Sequence, residues 1–290
     1  MKNNTLTVSD EVKRRALPWA LASGAFNAVF ALWVFSGSVF VLFMRELGLP
    51  ASEIGGLLSL FPFCGLLALF FAPAAARMGR KRVYLIFYGV RKLVIAMLLL
   101  LPWIITVRGM TAAKVFLVTI IVVFAVLRAL AETASYPWLQ EYVPNSVRGK
   151  FNAWISVIGL LASGVALWVA SVVIDHGTGV GRYLILIGAG AFLGIIGVLL
   201  MAFVPGGAPI NEPKEGPGYG AKMIVALLDR NFVYYLLAFA GGVVGLALLT
   251  SFLPLFICDH LGMKAKMVMR LVANPLATVK KNKKFKQLSS

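Results

Sequence analysis

Residues 47–82 read LGLPASEIGGLLSLFPFCGLLALFFAPAAARMGRKR, an apolar run that ends abruptly in four cationic side chains. Between Glu53 and Arg77 no residue ionises except Cys64. A helix needs roughly 20 such residues to cross a hydrocarbon core of about 30 Å, so the stretch reads as a membrane span with a basic stop. Val83 already opens the next apolar run, which confines Arg77, Arg80, Lys81 and Arg82 to a very short connection between two spans that turn back on each other. Short loops rich in Lys and Arg face the cytoplasm.

Composition points the same way. The 290 residues are 60% hydrophobic and only 13% charged, with a mean hydropathy of +0.88, whereas a soluble domain is nearer a quarter charged. Lipid is therefore the solvent for most of the chain, and water-soluble enzyme classes are set aside. Cys64 and Cys258 both fall within or at the end of apolar spans, and no His, Asp or Cys stands near them at ligand spacing. Both are read as packing residues, and neither a metal nor a cofactor is expected. The net charge of +17 raises nucleic acid as a partner. The cations, however, lie in short loops between spans, where they set orientation, so the expected surroundings are the bilayer.

Outward from the basic turn, the apolar runs predict helices over about 18–44, 53–76, 83–107, 115–138, 151–174 and 183–204. A Pro/Gly-rich linker (205–231), a seventh helix (232–257) and a basic tail (258–290) that reads as disordered follow. With the N-terminus inside, the cytoplasmic segments before residue 258 carry 13 Lys/Arg and the outer ones four, namely Arg45, Arg108, Lys114 and Arg182. That asymmetry supports a multi-pass protein of the cell membrane with a cytoplasmic N-terminus. Trp19, Trp103 and Trp138, near span ends, read as interfacial anchors.

The seventh helix restarts the first: VLFMRELGLP (41–50) aligns with PLFICDHLGMK (254–264) when Gly48 is set on Gly262. Internal repeats of this kind are common in secondary transporters. Continued, the repeat calls for an eighth helix and a second basic turn. The residues after Gly262 hold no uncharged run longer than Leu271–Val279, too short to span. The reading expects an incomplete copy.

The Leu47-Gly48 pair, a helix, and Arg77-Met-Gly79-Arg80-Lys81-Arg82 together resemble the loop motif G-x-x-x-D-R-x-G-R-R/K between helices 2 and 3 of the major facilitator superfamily. The resemblance covers about residues 1–262. It implies an all-α polytopic bundle of six helices plus one, and transport of a small solute by alternating access, coupled to a proton or sodium ion. Arg77, Gly79, Arg80, Lys81 and Arg82 then form the gating-loop motif. Two positions depart from it: the first glycine is Ala72 and the aspartate is Ala76. In the family that acid resembles a latch between states, so its loss points to a poorly active copy. Arg128 sits where proton-coupled members carry R-x-x-Q-G, but Ala131 and Glu132 follow here, and helix 5 lacks the antiporter proline. The resemblance also places helices 1, 4 and 7 around a central cavity, which makes Asn27, Arg128, Glu132, Tyr234, Tyr235 and Thr250 candidate liners.

Intramembrane charges cost about 2.5–3.5 kcal/mol each on insertion scales and so call for a reason. Arg128 and Glu132 are four apart and can pair on one helix face. Arg91 and Lys92 descend to a similar depth, either to reach Glu132 or to snorkel to the inner interface. A cavity richer in Arg than in acids leans toward an anionic solute. The competing reading is a half-bundle that does not transport, structural or completed by a second chain. A retinal pump is excluded because the seventh helix holds no lysine from Phe232 to Ile257, and a membrane enzyme because no H-E-x-x-H or nucleophile–base set occurs.

Overall fold

The computed structural model describes residues 9–209 and 228–259, and among them there are only helices and turns. The elements are α1 (Asp10–Val34), α2 (Ser38–Glu46), α3 (Ala51–Gly65), α4 (Leu67–Met78), α5 (Arg80–Ala96), α6 (Leu101–Tyr142), α7 (Arg148–His176), α8 (Gly181–Met201) and α9 (Arg230–Asp259). A single 3₁₀ turn, Met97–Leu100, joins α5 to α6. The protein is an all-α membrane bundle. Among the described residues four helical stretches are long and apolar enough to cross a bilayer, or five if the bent pair α3–α4 is one span. The longest, Arg80–Tyr142, has 63 residues, about twice what one crossing takes. It is two spans, because Gly109 interrupts it at φ 82°, ψ 176°, a conformation open only to glycine. The expected loop between Arg108 and Lys114 is thus a single residue.

The first two spans are not the continuous helices that their apolar runs suggest. Span 1 breaks between α1 and α2. The Ser36 amide and hydroxyl both donate to the Ala31 carbonyl, at 2.9 and 3.1 Å, which ends α1 by local competition for its acceptors. At Gly37 the chain passes so close to its own preceding turn that a Cβ would lie 2.0 Å from the Leu32 carbonyl oxygen. Span 2 bends by 63° between α3 and α4, just after Pro62, whose missing N–H and ring clash weaken the preceding turn. The basic connection is shorter still than expected. Only Gly79 separates α4 from α5, at φ 95°, so Arg80, Lys81 and Arg82 form the first turn of α5.

α1 lies along α8 and α7, while α5 packs on α6 and α8, and α3 and α4 pack on α6. The α1–α8 contact is close because α8 offers small residues to it. A Cβ on Gly190 would stand 2.9 Å from Val34 Cγ2, and one on Gly194 would stand 2.9 Å from Lys92 Cδ and 3.0 Å from Phe30 Cδ2. Without a hydrophobic driving force between helices in lipid, such backbone approach is what holds them. Trp33 adds an interhelical bond, its Nε1 donating to the Ala166 carbonyl on α7 at 2.9 Å. α9 packs on α2 and α3, and Gly241 and Gly245 on it have open space around them. Most of the linker and all of the tail beyond Asp259 lie outside the described residues.

Polar side chains close both ends. At one end Arg182 on α8 binds Glu46 of α2 at 3.1 Å and the Ile174 carbonyl of α7 at 3.2 Å, and Lys114 donates to the Gly48 carbonyl at 3.1 Å. At the other, Arg148 bonds the Gln140 carbonyl at 2.9 Å and Arg14 bonds Ser146 at 3.2 Å. Trp19 and Trp103 are largely exposed at span ends, but Trp138 is fully buried and its Nε1 donates to the Pro205 carbonyl at 3.1 Å. It is a core residue and not an anchor. Replacing Gly190 or Gly194 with alanine is expected to lower stability by about 1–3 kcal/mol through overpacking, and Gly241→Ala to leave it unchanged. Thermal unfolding in detergent followed by tryptophan fluorescence measures the difference.

Candidate functional site

The buried apolar residues fall into two clusters, one built around Phe30, Phe43, Phe124 and Tyr183, the other around Tyr84, Trp138, Tyr142 and Phe151. Between them lies a layer of five polar side chains: Asn27 on α1, Arg91 and Lys92 on α5, and Arg128 and Glu132 on α6. On α5 the layer begins about 17 Å along the helix from Arg80 at 1.5 Å per residue.

Two of these five are sealed from solvent, and Asn27 beside them is half-buried. Arg91 is 1% exposed and Lys92 is 0% exposed, so neither snorkels to an interface, and neither pairs with Glu132. Lys92 Nζ instead donates to Asn27 Oδ1 at 2.9 Å and lies 3.0 Å from the centre of the Phe30 ring. Its aliphatic stem fits only because residue 194 is glycine. The Arg91 guanidinium lies 3.7 Å over Tyr88 and 5.7 Å from Phe30, while its Nε and Nη1 are buried without a hydrogen-bond partner. Desolvated cation–π contacts reach about 2 kcal/mol or more, enough to offset much of an insertion cost of about 2.5–3.5 kcal/mol. Aromatic faces here do what a carboxylate does elsewhere.

Arg128 differs from the other two cations. Its Nε donates to Glu132 Oε1 at 2.8 Å, and the two side chains keep 28% and 37% of their surface exposed. The guanidinium rests on Phe35, at 5.1 Å, and Phe61, at 5.7 Å. These rings meet Phe124 at 5.3 and 5.9 Å, and Phe124 in turn meets Phe30 at 6.1 Å. Four phenylalanines thus form a shelf between the closed cations and the open one. The breaks in spans 1 and 2 serve this shelf: Phe35 is the residue that caps α1, and Phe61 lies in the last turns of α3 before the bend. None of these phenylalanines stands out in an apolar run. The signal that could have found Phe35 is the Ser-Gly-Ser at 36–38 beside it.

The candidates on the seventh helix do not join the layer. Tyr234 is 55% exposed and accepts from Arg230 Nε at 2.9 Å. Tyr235 is 66% exposed and stacks on Phe239 at 6.2 Å. Thr250 lies in α9 outside the residues whose side chains are described.

The motif Arg77–Arg82 forms a second polar site, at one end of the bundle. Arg80 pairs with Glu141 at 3.6 Å, and the other oxygen of that carboxylate accepts the Gly207 amide at 2.9 Å. Lys81 donates its amide to the Gly207 carbonyl at 3.2 Å and its Nζ to the Ala202 carbonyl at 2.7 Å. A Cβ on Gly79 would come within 3.2 Å of Gly207 and Pro209. The motif is therefore a clasp on the segment that follows α8, with Glu141 supplying the acid. Arg77 and Arg82 remain exposed.

Helices long and apolar enough to cross a bilayer, carrying charges within them, mark a multi-pass membrane protein. The model of the Major Facilitator Superfamily matches residues 21–279, and the chain belongs to that family. The match runs past Gly262, where the motif-based resemblance ends. Among curated proteins, none matches the chain.

The Lys92–Asn27 bond gives a test of the layer. Asn27→Leu leaves a buried ammonium without its acceptor and is expected to cost about 1–3 kcal/mol or more. Lys92→Met is expected to cost less, and the double variant to recover most of the loss. Thermal unfolding of the three variants in detergent yields the coupling.

Proposed function

We propose that the chain serves alternating-access transport of a small anionic solute, with Arg128 as the group that reads the anion. The observation that carries this is the contrast within the layer. Three cations face one carboxylate, and only Arg128 is both partly open and backed by an apolar shelf. A guanidinium has five N–H donors, and the bond to Glu132 uses the one on Nε. A carboxylate or phosphate can take others bidentately, while Phe35 and Phe61 receive the apolar part of the solute. Arg91 and Lys92 reinforce the positive potential from behind the shelf without touching the solute. Glu132 competes with the solute for Arg128, and as the layer's one carboxylate it is the place for a coupling proton or sodium ion.

In this reading residues 1–204 form the first bundle, 205–231 a cytoplasmic linker and 232–257 the first helix of a second unit. The N-terminus and the Arg77–Arg82 clasp face the cytoplasm, as the Lys/Arg bias favours. Alternating access needs two units rocking about a central site, so the 290 residues by themselves are expected to carry solute poorly. Saturable uptake into proteoliposomes containing this chain alone would overturn that part.

Binding can be tested separately from flux. Small organic anions, cations and neutral solutes of matched size are screened by thermal shift on the purified chain and on Arg128→Gln. Anions are expected to stabilise the native chain, with the shift falling at least about tenfold in effective concentration for the variant, the scale of one charge-assisted hydrogen bond. Equal shifts for all three solute classes, or an unchanged anion response in Arg128→Gln, would sink the assignment.

A further inference from the structure

A cleft of about 450 Å³ opens beside the clasp, between the start of α5 and the segment after α8. Its wall on α5 changes character along the helix. Lys81 and Arg82 stand at the end of the bundle, and Leu85 and Ile86 line the next turn, one step toward the bilayer. Met78 and Pro209 complete an otherwise apolar lining. Ile86 is 47% exposed and Met78 is 42% exposed, so the apolar end of the cleft opens onto the outer surface of the bundle. Arg82 is exposed and makes no hydrogen bond or ion pair among the described residues. Lys81 lies beside it, its ammonium on the Ala202 carbonyl at 2.7 Å. The one carboxylate in the clasp, Glu141, is committed to Arg80 and to the Gly207 amide.

We infer that this cleft seats an anionic phospholipid of the adjoining leaflet, its phosphate at Arg82 and Lys81 and the start of an acyl chain against Leu85, Ile86 and Met78. Cations at the rim and apolar side chains one helical turn deeper match the head-to-tail polarity of such a lipid. The volume suits a headgroup and the first methylenes, with the rest of the chains in the bilayer. Basic side chains at a membrane surface attract anionic lipids, and the built wall beside them converts attraction into a site. With Ala76 where the family motif has its acid, no carboxylate on the motif repels the phosphate. Because the clasp holds the segment after α8, a lipid there rests on both parts and braces them. The inference does not depend on which solute the layer reads.

Native mass spectrometry of the purified chain in detergent, titrated with phosphatidylglycerol or phosphatidylcholine of matched chains, tests it. The native chain is expected to retain phosphatidylglycerol about tenfold more strongly than phosphatidylcholine. Arg82→Gln is expected to remove most of that preference. Ile86→Trp keeps every cation but fills the apolar end, and is expected to weaken phosphatidylglycerol about as much. Both positions are exposed, and unfolding temperatures equal to that of the native chain confirm that the variants are folded. Equal retention of the two lipids overturns the inference, as does an unchanged preference in either folded variant, since the many other cations of the chain persist in both. Displacement of phosphatidylglycerol by millimolar inorganic phosphate also overturns it, because the site would then read a free anion and not a lipid.

Discussion

The bundle is built around the problem of holding cations in a medium that cannot solvate them. Arg91 and Lys92 are adjacent, like-charged and buried, and among the described residues no carboxylate pairs with either. The chain answers with aromatic faces and one amide: Phe30 and Tyr88 under the charges, and Asn27 accepting from Lys92. The local shape follows from that answer. Gly194 is bare because the lysine stem needs its space, α1 approaches α8 closely there, and the two apolar clusters are kept apart by the layer. Removing one element of the arrangement exposes a desolvated charge, which is why the layer acts as a unit.

The layer is physically connected to the clasp. From Arg91 the rings of Tyr88 and Tyr84 stack at 4.2 Å, Tyr84 meets Trp138 at 5.3 Å, and Trp138 meets Tyr142 at 5.5 Å. Trp138 is bonded to Pro205, and Glu141, on the same helix, holds Arg80 and Gly207. An aromatic column therefore joins the charged layer to the connection between spans 2 and 3. The column makes α6 the element that both sites share, since Arg128, Trp138 and Glu141 all stand on it.

Several features were legible in the linear chain because they depend on local chemistry alone. Apolar runs set against a hydrocarbon thickness yield the spans, and Arg128 with Glu132 is legible as a pair because i and i+4 side chains on one helix must face the same way. The basic turn was legible too, although its compactness was not. The reduction of the connection to Gly79 follows from a positive φ and from contact with residues 207 and 209, far along the chain. The Lys92–Asn27 bond was not legible, since it joins residues 65 apart and depends on how α1 and α5 are rotated about their axes. Hydropathy alone cannot state that rotation for helices apolar on nearly every side.

Sequence by itself determined the solvent, the helical class, the family motif and the presence of charges that lipid does not tolerate. The tertiary structure decided which of those charges are sealed and which is open. Arg91, Lys92 and Arg128 look alike as cations in apolar helices. Their difference comes from the breaks at Gly37 and after Pro62, which carry Phe35 and Phe61 under Arg128 and leave that guanidinium partly accessible. Whether a buried charge becomes a structural post or a working group depends on packing in three dimensions, because desolvation is set by neighbours that the chain brings together only on folding.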